Sequence, residues 1–378
     1  MIQTYDVIVI GVGSMGAATC YQLARRGLRV LGLEQFGIPH QSGSHHGQTR
    51  MIRLAYFEHP DYVPLLQRAY AAWRELEVET GTRLLQITGG IYMGPPGSRL
   101  LAGAEESCRQ HGLSYEYLDS QSLRDAFPQF QPHAGTEALF EEQAGFLVPE
   151  DTVAALAMAA LAQGAEIHGL EAVRAWQITS QGAEVTTERT RYAASRIVFT
   201  SGAWTNHILR DRMPVDLQVT RQPLAWFAPR DPDSLKQGKL PVWFMETEDG
   251  HGHYGFPILP GTPGFKVGLH RPADEVDPDT VDRTFHERDW ESLAQFLQQH
   301  IPAAAGPLLS GSVCLYTNSP DGHFIVDQLP EEERVFVCAG FSGHGFKFAS
   351  VVGEMMADYV SSGRTQLPAR FLRFSRFQ

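Results

Sequence analysis

The period of apolar and polar positions changes several times along the chain. Val7 to Ile10 is an unbroken apolar run, the pattern of a strand buried on both faces. Cys20, Leu23 and Ala24 then recur at helical spacing, Gly27 ends that helix, and Val30 to Leu33 is a second apolar run closed by Glu34. Beyond a long polar loop, Phe36 to Asp61, the residues Leu66, Ala69, Tyr70, Trp73 and Leu76 fall on one face of a predicted helix with Asp61 as its cap. A strand pair turning at Gly89–Gly90 is predicted over 84–95. Helices near 98–111 and 120–127 follow, then a strand and turn over 140–150 and an alanine-rich helix over 151–164. Residues 165–200 read as strands, and Gly202 opens a second strand-to-helix junction. From Val215 the pattern becomes short strands separated by turns, as in an antiparallel sheet, with an amphipathic helix over 286–301. The remainder returns to strand, glycine and helix.

These changes predict an α/β chain (α+β overall). A discontinuous Rossmann-like domain is expected from 1–83, 150–214 and 306–378, with a mostly antiparallel substrate domain, 84–149 and 215–305, inserted in it. The glycines between the first strand and helix, Gly11, Gly13 and Gly16, have the spacing G-x-G-x-x-G. Gly11 permits the tight turn, Gly13 lets backbone approach a pyrophosphate, and Gly16 lets helix and strand pack closely. The helix N-terminus offers free N–H groups to phosphates. Glu34 lies about 20 residues on, where an acid meets a ribose hydroxyl. The motif predicts a dinucleotide without separating FAD from NAD, though its place near the start of the chain leans towards FAD.

Composition narrows the partners. The chain has 378 residues, 43% hydrophobic and 20% charged, with a net charge of −12, which argues against nucleic acid. No apolar run reaches the roughly 20 residues that span a bilayer, and no cationic leader precedes an apolar segment. Cys20, Cys108, Cys314 and Cys338 show no metal-binding spacing, so no metal is expected, and reduced thiols in a cytoplasmic protein are.

Three clusters carry candidate chemistry. Cys314 stands in CLYT, read as a loop, where it is either an inert small hydrophobe or a reactive thiol. AGFSGHGFKF sets Gly340, Gly343 and Gly345 before Lys347, and such glycines can cradle a ring or an anion. Tyr254, Lys266 and His270 lie on neighbouring predicted strands, with Lys266 and His270 on one face. That face is either solvated or the wall of a pocket for an anion.

The stretches GVGSMG, GSHHGQTRMIRLAY, SGAW, HYGFP, FKVGLH, CLYT, HFIVD and AGFSGHGFKF resemble the monomeric sarcosine oxidase and N-methyltryptophan oxidase family over nearly the full length. The resemblance implies an FAD-binding domain with an inserted substrate domain. It implies FAD contacts from Gly11, Gly13, Ser14, Met15, Gly16, Glu34, Ser42, His45, His46, Thr49, Arg50, Gly340, Gly343, Gly345, Phe346 and Lys347, with Cys314 in a thioether to the flavin 8-methyl carbon. Arg53 and Lys347 match the pair that binds the substrate carboxylate. Glu58, Met245, Tyr254, His270 and Tyr316 match pocket residues, Lys266 the lysine that serves oxygen, and Arg50 a catalytic group on the flavin. Gln48 departs from the aspartate of GDTR, Leu54 from a histidine, Leu315 from a methionine, and Glu34 from an aspartate. The segment 258–265 differs as well and is expected to shape the pocket.

The function so implied is oxidation of a secondary amino acid, N-methyl or cyclic, to an imine. Dioxygen is reduced to hydrogen peroxide, and N-methyl substrates release formaldehyde. A monomer is expected. The alternatives are a flavin dehydrogenase serving a quinone or carrier protein, a non-catalytic flavin-binding protein, and an NAD-dependent dehydrogenase.

Overall fold

The computed structural model describes residues 3–262, 264–270 and 273–378. The strand Gln3–Ile10 is central to the first sheet. It pairs in parallel with Val30–Leu33 on one side and Arg191–Phe199 on the other. Glu166–His168 extends this sheet beyond Val30–Leu33, and Glu332–Ala339 joins Arg191–Phe199, both in parallel. The apolar runs at Val7–Ile10 and Val30–Leu33 are buried because both faces are covered. On one face the helix Ser14–Arg25 packs against Pro149–Ala162 and Ala349–Ser362.

The second sheet is mostly antiparallel. Leu308–Asn318 is its edge, followed by Gln218–Phe227, Phe265–His270, Gly252–Gly255 and Val242–Glu246. Period two divides its faces. Ala225, Phe227, Trp243, Met245, Phe265 and Val267 point into a core covered by the helix Glu291–His300. Leu224, Trp226 and Cys314 point the other way and cluster with Tyr254. A small third sheet, Arg50–Ile52 with Gly145–Leu147 and Leu85–Ile87, connects segments expected in different domains.

The structure corrects several expectations. The strands Leu85–Ile87 and Gly90–Gly94 do not pair with each other. The first joins the small sheet, and the second joins Glu137–Glu141 and Val242–Glu246. Gly89, at φ +73°, lies where the chain passes from one sheet to the next. Leu308–Asn318 pairs with Gln218–Phe227 in the second sheet, so Cys314 lies on a strand and not in a loop. The Phe36–Asp61 loop contains the strand Arg50–Ile52. Asp61 stands at the cap position of Tyr62–Thr80 but makes no side-chain capping bond.

Candidate active site

A cleft of about 900 Å³ runs from the carboxyl ends of the parallel strands to the Cys314 face of the second sheet. At its first end Gly11 holds φ +94°, and a Cβ there would lie 2.6 Å from the Thr200 carbonyl oxygen. A Cβ on Gly16 would lie 1.8 Å from the Gly11 carbonyl oxygen, so only glycine lets the helix seat on the turn. Gly13 is the N-cap of that helix, and Ser14 and Met15 line the cleft beside it. The Glu34 carboxylate accepts from the N–H of Val12 at 2.8 Å and of Phe36 at 3.0 Å, which fixes it at the end of its strand. Burial raises its pKa, and these backbone bonds oppose the rise.

At the other end Cys314, Tyr316, Tyr254 and His270 line the wall formed by the second sheet. The Cys314 sulfur is buried, with Nη2 of Arg50 3.6 Å away. His270 Nδ1 lies 3.4 Å from the Tyr316 hydroxyl. Gly343, at φ +79°, passes so close to Tyr316 that a Cβ would come within 2.3 Å of its ring. Arg53 and Lys347 also line the cleft, and both are buried. Nη2 of Arg53 donates to both oxygens of Glu58, at 2.8 and 2.7 Å, and its guanidinium lies 4.5 Å over the rings of Tyr56 and Phe57. Lys347 Nζ donates to the His344 carbonyl at 2.8 Å.

Burial governs the charges here. Desolvation, with Arg53 nearby, lowers the pKa of Lys347 to about 7. Burial would raise that of Glu58, but Arg53, His344 and Lys347 outweigh it and hold the carboxyl at about 2. Burial lowers His45 and His46 to about 3 and also lowers His270, which disfavours the charged form of each. It lowers Lys266 well below the ordinary lysine value, with Arg50 adding to the effect.

Comparison with known proteins decides the family. Residues 6–359 match the model of the family described as FAD dependent oxidoreductase. The chain is 40% identical to the monomeric sarcosine oxidase of Streptomyces avermitilis, over 97% of this chain and 96% of that one. It is 35% identical to the N-methyl-L-tryptophan oxidase of Yersinia pestis, over 99% and 100%. Among solved structures it superposes on NikD, described as an unusual amino acid oxidase essential for nikkomycin biosynthesis, with a TM-score of 0.87. That match has 26% identity and covers 98% of this chain and 97% of the other.

The chain belongs to the FAD-dependent oxidoreductase family. The cleft fits the family's cofactor. The glycine cradle and bare helix N-terminus suit its pyrophosphate, and Glu34 suits its ribose. The Nε2 atom of His45, which lines the cleft, is buried and makes no hydrogen bond within the chain. FAD, when bound, supplies the two-electron chemistry.

For an FAD oxidoreductase, the placement of the expected residues is informative. Gly11, Gly13, Ser14, Met15, Glu34, His45, Arg50, Arg53, Glu58, Tyr254, His270, Cys314, Tyr316, Gly340, Gly343, Gly345, Phe346 and Lys347 all line the cleft. Gly16, Ser42, His46, Thr49 and Lys266 are not among the residues that line it. Lys266 Nζ donates to the carbonyls of Gly47 and Thr49 and to the Thr49 hydroxyl. Met245 is a correction: it is buried in the core on the far face of the sheet, and its neighbour Phe244 takes the cleft position. The segment 258–265 contributes no lining residue among those described, and its Pro263 lies outside them. Phe57, Phe244 and His344 line the cleft without having been singled out. Period two along 242–246 was the available signal for Phe244, and His344 lies inside the AGFSGHGFKF stretch; Phe57 had none.

Among the described residues, one group has the makings of a metal site. His207, Asp277 and Asp279 lie exposed, and the imidazole sits 3.2 and 3.3 Å from the two carboxylates. No helix among the described residues is long and apolar enough to cross a membrane.

Proposed function

We propose that the chain is an FAD-dependent oxidase of secondary amino acids, N-methyl or cyclic, which returns dioxygen as hydrogen peroxide. The observation that carries this reading is the pairing of two buried cations, Arg53 and Lys347, with the Tyr254, His270 and Tyr316 wall across one cleft. Arg53 and Lys347 hold the substrate carboxylate in charge-assisted bonds. The amine then faces His270 and the two tyrosines. Burial lowers the His270 pKa, which disfavours a positive charge there that would repel the amine. The rings of Phe57, Phe244 and Tyr316 keep water from the reacting carbon. Lys266 and Arg50 bring positive charge towards the place where dioxygen is reduced. The relatives named sarcosine oxidase and N-methyl-L-tryptophan oxidase support the substrate class.

The same reading makes Cys314 the covalent anchor of FAD. Its thiol would hold the flavin through a thioether to the 8-methyl carbon, a two-electron oxidation for which dioxygen would accept the two hydrogens lost and be released as peroxide. Arg50 stands beside the sulfur, where it stabilises negative charge developing there.

A panel of N-methyl and cyclic amino acids, assayed for peroxide, tests the function. Flavin bleaching by one of them under nitrogen, with peroxide on aeration, is expected. Bleaching without peroxide in air would make the chain a dehydrogenase serving another acceptor.

A further inference from the structure

The turn at residues 47–49 is held from opposite sides by two charges. The Thr49 N–H donates to the Gly47 carbonyl at 2.9 Å, so the three residues form a γ-turn. Its central residue, Gln48, has φ +72°, the rare and strained form of that turn for a residue with a side chain. Such a conformation persists only where its surroundings enforce it. Two groups do so here. On one side Glu150, in the first turn of Pro149–Ala162, accepts the Gly47 N–H at 2.7 Å and the Gln48 N–H at 3.2 and 3.3 Å. On the other, Lys266 Nζ donates to the Gly47 carbonyl at 2.6 Å, the Thr49 carbonyl at 2.9 Å and the Thr49 hydroxyl at 3.0 Å.

The acceptors that hold the Lys266 ammonium are therefore oriented by the carboxylate behind them. We propose that Glu150 is the positioning residue for Lys266: it fixes the turn whose oxygens hold the ammonium, and it supplies the opposing charge. The proposal rests on the reading of Lys266 as the group that serves dioxygen. Among the described residues, the charged and titratable groups acting on Lys266 are Arg50, Cys314, His46 and Glu150, of which Glu150 is the carboxylate. The rings of Trp226 and Phe256 lie 5.8 and 4.8 Å from Nζ and close the space around it. Burial and Arg50 lower the pKa of Lys266, while Glu150 opposes that and favours the ammonium.

The test uses the FAD-loaded protein as wild type, Glu150→Gln, Glu150→Asp and Lys266→Met. Glu150→Gln keeps the side-chain length and removes the charge and one acceptor. Reduction by substrate under nitrogen should stay near the wild-type rate. Reoxidation should slow roughly tenfold to a hundredfold, as misplacement of a catalytic group does. The deficit should deepen as pH rises, because Lys266 then loses its proton at lower pH than in wild type. Glu150→Asp should recover part of the rate. Wild-type reoxidation of Glu150→Gln across the pH range would overturn the proposal, and so would equal slowing of both half-reactions. Two readouts do not depend on turnover. Hydrogen exchange at the Gly47 and Gln48 amides should quicken in Glu150→Gln, and the pH titration of the flavin absorbance should move to lower pH. If Lys266→Met reoxidises normally, the oxygen reading of Lys266 fails, and these two measurements alone decide the role of Glu150. Unchanged exchange together with an unshifted titration would end it.

Discussion

The carboxylate of Glu58 accepts two hydrogen bonds from a single nitrogen of Arg53, Nη2, at 2.8 and 2.7 Å. The guanidinium proposed to bind the substrate carboxylate is thus already paired with a carboxylate of the protein. Nη1 is turned to the Ala55 carbonyl at 2.8 Å. Two effects should therefore separate in Arg53→Ala. Loss of the charge-assisted bond should weaken binding of an anionic substrate by roughly 1.5–3 kcal/mol. Glu58, left without its partner in a largely buried position, should cost stability, by at most about 3–5 kcal/mol. Kinetics on the amino acid and on its decarboxylated amine isolate the first effect, and thermal denaturation reads the second. Equal loss on both substrates would remove Arg53 from the clamp.

Lys347 gives affinity and stability opposite dependences on pH. Its pKa is lowered from 10.5 to about 7 by burial and by Arg53. Above about 7 it loses the charge that attracts a carboxylate, so affinity for an anion should fall as pH rises through that value. Between 7 and 10.5 the unfolded chain holds a proton there that the folded chain does not. The contribution of this group to stability therefore grows with pH over the same interval. A simple carboxylate lacking an amine, titrated against the flavin absorbance between pH 6 and pH 9, checks the affinity. The pH dependence should vanish in Lys347→Met.

Much of this was legible in the sequence, and what was not has a physical reason. Gly11 and Gly16 announce themselves because sterics leave no other residue at those contacts. Cys314, Tyr316, Tyr254 and His270 were placed through a resemblance, and strand alternation brings them to one face. The partner of Leu308–Asn318 was not legible: its sheet is decided by pairing with Gln218–Phe227, far away in the chain. Glu150 and Glu141 were invisible for another reason. Each holds backbone N–H groups, Glu141 those of Leu54 and Ala55, and a backbone N–H has no side-chain signature.

Cys314 is expected to retain the flavin. Acid denaturation of the wild type should leave yellow colour and flavin fluorescence on the polypeptide, and Cys314→Ser should release both. Cys20, Cys108 and Cys338 are buried, and burial raises the first two thiols to about 12 and the third further, so they do not compete. Flavin that washes free from the wild type would falsify the thioether and leave the oxidase reading standing.

Phe244 and Met245 are neighbours on one strand with opposite fates, and their separation tests where the pocket lies. Met245 is 2% exposed and packs in the core with Trp243 and Phe265, while Phe244 faces the cleft, 5.7 Å from the Phe57 ring and 6.1 Å from His270 between ring centres. Met245→Ala opens a cavity and should cost about 2–5 kcal/mol of stability. The ranking of substrates by kcat/KM should not change. Phe244→Ala should leave stability closer to wild type, because that ring is only half-buried. It should change the ranking, favouring substrates with bulkier groups on the carbon next to nitrogen, since it opens the wall they would meet. Thermal denaturation and a substrate panel on the two variants decide the matter. A changed ranking in Met245→Ala, with none in Phe244→Ala, would put the substrate on the other face of the sheet and against this assignment of the cleft.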